Sequence, residues 1–66
     1  MNLKVNGKLH KHSGKATVKA LLDEMDIKAG SVAVMVNDHV ISRRKFGSQM
    51  LSDGDKVEVL AFVGGG

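Results

Sequence analysis

The sequence has no cysteine, tryptophan or tyrosine, and its only aromatic residues are Phe46 and Phe62. Without cysteine there is no disulfide framework, no thiolate metal site and no cysteine nucleophile. Small secreted domains usually depend on such staples, so their absence favours a cytoplasmic home. With so few aromatic rings the core must be aliphatic, and the stacking platforms that commonly bind single-stranded nucleic acid are missing. Long hydrophobic runs are also absent. The run at residues 32–36 is far too short to cross a bilayer, so no membrane association is expected. Lys4 and Lys8 interrupt the opening stretch, which does not read as a signal peptide. The 66 residues suffice for one domain with one core. A chain of this size buries only about 60% of its unfolded surface, leaving little room for an internal pocket.

Charge is unevenly placed. Lys4, Lys8, Lys11, Lys15 and Lys19 all precede the first acid, Asp23, and Arg43, Arg44 and Lys45 form a second basic cluster. The plain reading is a solvated basic face. The sharper one is steering of an acidic partner, with Arg43 and Arg44 supplying ion pairs at the rim of a contact.

Residues 1–6 alternate, with Met1, Leu3 and Val5 on one side and Asn2 and Lys4 on the other, the period of a half-buried strand. Asn6-Gly7 is a strong hairpin signal, and residues 8–12 read as the returning strand, anchored by Leu9. Thr17 is placed to cap a helix whose apolar stripe is Val18, Leu21, Leu22 and Met25, with Ile27 extending the contact. Ala29-Gly30-Ser31 ends that segment. Residues 32–37 form the most strand-like stretch, with Val32, Val34 and Val36 on one face and Ala33 and Met35 on the other. Asn37-Asp38 turns the chain into a short strand at Val40 and Ile41. Residues 43–51 read as a turn or short helix with Phe46 and Leu51 pointing inward. Ser52-Asp53-Gly54-Asp55 is a tight turn. Residues 56–63 form the last strand, with Val57 and Val59 on one face and Lys56, Glu58, Leu60 and Phe62 on the other. The order is ββαβββ. One amphipathic helix has one sheet face to cover, and a crossover permits the first and last strands to pair. The expected fold is α+β, a ubiquitin-like β-grasp with a mixed sheet on one helix. The domain is expected to span 1–66, with 63–66 a mobile tail.

Two sets of residues are candidates for chemistry. His10 and His12 share one face of a strand and have metal-ligand spacing, but spacing fixes no third ligand. They read as ordinary surface histidines, His39 reads as a turn residue, and no metal is expected. The other set is Gly64-Gly65-Gly66, directly after the last strand. Glycine presents no side chain, so such a segment can thread a narrow channel in another protein. The plain alternative is a disordered chain end. By alternation Met35, Leu60 and Phe62 point away from the core, and an exposed apolar patch of this kind marks a binding surface. A register slip of one residue would make them core instead.

Residues 34–66 resemble the ThiS family of sulfur carriers of thiamine biosynthesis. The matching residues are Val36-Asn37, Val40-Ile41, Arg43, Phe46, Leu51, Asp53-Gly54-Asp55, Val57-Glu58-Val59 and Phe62-Val63-Gly64-Gly65-Gly66. The opening is similar too, from the strand and turn at 1–7 to Gly14, Thr17-Val18 and Leu21-Leu22. One departure is Ser42, where the family commonly has proline before the arginine. The resemblance implies a carrier without a catalytic site or bound cofactor of its own. A ubiquitin-activating-type adenylyltransferase would use ATP to join AMP to the Gly66 carboxylate. Sulfur from a donor such as a cysteine desulfurase would displace AMP to leave a Gly66 thiocarboxylate. A thiazole synthase would then take the sulfur. Gly64 and Gly65 would thread the partners' active sites, and Met35, Leu60, Phe62, Arg43 and Arg44 would dock the body. The molybdopterin-synthase small subunit, or a carrier for another sulfur pathway, is a close alternative. A non-catalytic β-grasp binding module, docking RNA through its basic hairpin, is an alternative of another class.

Overall fold

The computed structural model describes residues 1–62. The expectation of a mobile tail at 63–66 lies outside the described residues. Five strands and one helix follow one another as β1 (Asn2–Val5), β2 (Lys8–Lys11), α1 (Val18–Glu24), β3 (Val32–Val36), β4 (His39–Ile41) and β5 (Lys56–Ala61). Short 3₁₀ turns at Ala29–Ser31 and Arg43–Lys45 fill the connections.

Both hairpins are set by asparagine-led turns. Asn6 and Gly7 have φ of 51° and 82°, and Asn37 and Asp38 have 49° and 70°. Two consecutive positive φ values give the turn twist that matches paired strands. The β1–β2 turn places Lys8 opposite Val5 and therefore Leu9 opposite Lys4. Leu9 accordingly lies on the outer face and is 66% exposed. It does not anchor β2, as the pattern of hydrophobicity alone suggested; His10, opposite Leu3, takes the inward position.

The strand order is β2-β1-β5-β3-β4. β1 and β5 run parallel, with Val5 opposite Val57, while the other three pairings are antiparallel. The Asn6 side chain continues the β1–β5 pairing past the strand end: its Oδ1 accepts from Val59 N–H at 2.8 Å and its Nδ2 donates to the Val59 carbonyl at 3.2 Å. The sheet is mixed and its ends are far apart in sequence, as the ββαβββ order implied.

α1 starts at the expected cap. Thr17 Oγ1 accepts from Ala20 N–H at 3.1 Å. Two further N–H groups of the first turn, those of Val18 and Lys19, donate to the carbonyls of Gln49 and Phe46. The irregular segment before β5 thus satisfies donors that a helix start leaves unpaired. Val18, Leu21 and Leu22 are fully buried against Leu3, Val34 and Val57, and Phe46 and Leu51 close the core from the side. Each such aliphatic side chain contributes roughly 1.5–3 kcal/mol on burial. Among the described residues, no helix covers the opposite sheet face.

Candidate functional site

β5 delivers the chain toward residue 63 along the middle of the sheet. Phe62 N–H donates to the Ser31 carbonyl at 3.0 Å, holding the last described residue beside the start of β3. There Phe62 borders a groove of about 330 Å³, lined also by Val32, Ala33, Val40, Ile41, Arg43 and Phe46. Phe62 is 66% exposed and Leu60 55%, so the register read from alternation holds. Leu60 sits opposite Ala33 on the open face. Met35 lies one row further, between Val40 and Glu58, and is half-buried. Of the residues expected to dock a partner, the groove unites Phe62 and Arg43. Leu60 and Met35 adjoin it on the open face, and Arg44 is exposed outside its lining.

Val40 is a member of this surface that sequence reasoning missed. It is 74% exposed. The signal was present: a two-residue turn at Asn37-Asp38 puts Val40 opposite Met35, on the same face. Arg43 lies close to the backbone, since a Cβ on Gly30 would come 3.4 Å from its Nη1. An apolar groove with one guanidinium at its side fits an apolar anchor and a carboxylate of a partner. The lining offers no nucleophile or general base among the described residues. Gly64, Gly65 and Gly66 lie outside the described residues.

A second constellation sits at the opposite edge of the sheet. His10 and His12 project together from β2 and the residue after it, toward the end of α1. Glu24 Oε2 is 2.8 Å from His10 Nε2 and 2.8 Å from His12 Nδ1. Ser13 donates to Glu24 Oε1 through both its N–H and its hydroxyl, at 3.1 Å each. His12 Nε2 lies 2.6 Å from the Lys15 carbonyl, which can only accept, so that nitrogen carries the hydrogen. The two histidines are thus not ordinary surface residues: the His12 side chain is 1% exposed and that of His10 27%. Hydrogen bonds from His10 first, then His12 and Ser13, hold the Glu24 carboxyl down at about 2. The Lys15 carbonyl, and after it Glu24, raise the His12 imidazole above its ordinary value against the opposing effect of burial. Glu24 escaped the sequence reading because it lies off the helix's apolar stripe and meets β2 only through the tertiary fold.

The fold and the open apolar face define a β-grasp domain of the ubiquitin-like class. The ThiS family model matches residues 3–66, and the chain belongs to the ThiS family. It is 37% identical to the sulfur carrier protein ThiS of Thermus thermophilus over 62 residues, covering 94% of this chain and 95% of that protein. The crystal structure of the thiamine biosynthesis protein ThiS of Geobacter metallireducens superposes with a TM-score of 0.84 at 40% identity, covering all of both chains. The chain is also 38% identical, over its full length, to part of the thiazole synthase of Paramagnetospirillum magneticum. It spans about a fifth of the length of the curated thiazole synthases it matches, 20% in each of two. No helix among the described residues is long and apolar enough to cross a membrane.

Proposed function

We propose that this chain is a sulfur carrier of thiamine biosynthesis that bears its cargo at Gly66. The observation that carries the reading is the family match across residues 3–66, which runs through Gly64-Gly65-Gly66. In this reading a carboxylate oxygen of Gly66 attacks the α-phosphorus of ATP in a ubiquitin-activating-type adenylyltransferase, and pyrophosphate leaves. A free carboxylate resists nucleophiles; the acyl-adenylate does not, because AMP is a good leaving group. A sulfur nucleophile, supplied by a donor such as a cysteine desulfurase, then attacks the carbonyl. AMP departs; attack by sulfide leaves the thiocarboxylate directly, whereas attack by a persulfide donor leaves an acyl disulfide, whose S–S bond a second thiol must reduce to release the thiocarboxylate. The chain contributes no acid, base, metal or cofactor to these steps and acts as the substrate of its partners.

The likeness to a fifth of two thiazole synthases supports thiazole synthase as the consumer of the sulfur. A carrier-like segment within the length of that enzyme keeps donor and acceptor at high effective concentration. The groove beside Phe62 and Arg43 would hold the body while residues 63–66 reach the partner's active site. The purified chain, incubated with ATP and its cognate adenylyltransferase, should release pyrophosphate. Adding a sulfur donor should then give a product heavier by the difference between sulfur and oxygen, located at Gly66 by mass spectrometry. Undiminished pyrophosphate release after deletion of Gly66 would sink the reading.

A further inference from the structure

We propose that His10, His12 and Glu24 form a binding site for a divalent metal ion of the Zn²⁺ type, with His10 Nε2, His12 Nδ1 and Glu24 Oε2 as ligands and water in the fourth position. The three groups stand at the sheet edge opposite the Phe62 groove, so the site is independent of the sulfur chemistry.

The donor set is two imidazoles and one carboxylate, which suits a borderline ion and leaves one position open. All three ligand atoms lie within 4.8 Å of one another. At metal–ligand distances of about 2.0–2.2 Å, neighbouring ligands of a tetrahedron stand roughly 3.3–3.5 Å apart. The present nitrogen–oxygen contacts are 2.8 Å, so the ring of ligands must open slightly. His10 and Glu24, whose side chains are each 27% exposed, have the freedom to do so while buried His12 stays fixed.

The surroundings are those of a prepared metal site. His12 donates its other ring nitrogen, Nε2–H, to the Lys15 carbonyl, which orients the ring with Nδ1 toward Glu24. Ser13 holds Glu24 Oε1 by two hydrogen bonds, leaving Oε2 to face the imidazoles. Both groups flanking the His12 ring, a carbonyl and a carboxylate, are acceptors. A positive species must therefore stand between Nδ1 and Oε2: a proton in the metal-free protein, the metal ion in the loaded one.

The test is calorimetric titration of the chelator-treated protein with ZnCl₂ near neutral pH, with Co²⁺ absorption as a geometric probe. The expected result is saturable 1:1 binding with proton release, a tetrahedral Co²⁺ spectrum and a rise in melting temperature. His10→Ala and Glu24→Gln should each weaken binding by at least about tenfold, by analogy with losses seen even for outer-shell groups. His39→Ala, at the distant start of β4, should bind as the parent does. The zinc-dependent rise in melting temperature should shrink in His10→Ala, a substitution at a partly exposed site that leaves buried His12 in place. No stoichiometric binding, or binding that survives both His10→Ala and Glu24→Gln, would overturn the proposal.

Discussion

Among the described residues His12 is the one polar residue in the buried set, and its ring meets an acceptor at each nitrogen. That makes the metal-free cluster sensitive to pH from both sides. The folded state raises the His12 value above 6.5, so its stabilisation is complete below 6.5 and is lost as pH rises through the folded value. Glu24 is displaced oppositely, from 4.5 to about 2, so its stabilisation is complete above 4.5 and fades as pH falls toward 2. Both contributions are present between pH 4.5 and 6.5. With chelator present, the difference in melting temperature between the parent and Glu24→Gln should be largest in that window and shrink on either side. A difference that stays constant from pH 3 to 8 would show that the carboxylate does not couple to the imidazoles.

At the scale of elements, what holds β-sheet and helix together is the aliphatic stripe more than the cap. Leu21→Ala empties a fully buried position and should cost about 2–5 kcal/mol. Thr17→Ala removes one side-chain acceptor and should cost about 1 kcal/mol. Urea unfolding monitored by circular dichroism orders the two; the reverse order would mean that the helix start, and not its packing, limits stability. The same elements show what was legible in the residues alone. Val18, Leu21 and Leu22 betrayed the helix because their spacing matches its turn, and Val32, Val34 and Val36 betrayed β3 by strict alternation. Leu9 misleads because its hydrophobicity points inward, although counting from the Asn6-Gly7 turn places it on the outer face. Glu24, and the reach of Asn6 to Val59, had no local signature. Each is a contact between segments far apart in sequence, created only when the sheet closes.

Across the whole molecule, the two edges of the sheet carry separate properties. The β2 edge holds the His10–Glu24–His12 cluster, and the β3–β4 side holds the groove beside Phe62. The docking reading makes a prediction that separates attachment from chemistry. Phe62 is exposed, so Phe62→Ala should leave the melting temperature nearly unchanged. An aromatic anchor at the centre of an interface is worth at least about 2 kcal/mol, or roughly thirtyfold in dissociation constant. Phe62→Ala should weaken binding to the adenylyltransferase by that order. Arg43→Glu should slow association and alter its salt dependence more than Arg44→Glu does, because Arg43 lines the groove and Arg44 does not. Deletion of Gly66 should do the opposite of Phe62→Ala: binding persists because the docking surface is intact, while pyrophosphate release stops because the attacking carboxylate is displaced from the nucleotide. Surface plasmon resonance and a pyrophosphate assay on the same three variants and the deletion read both quantities. Parent-like binding by Phe62→Ala would move the docking surface elsewhere on the sheet, even if the chemistry at Gly66 held.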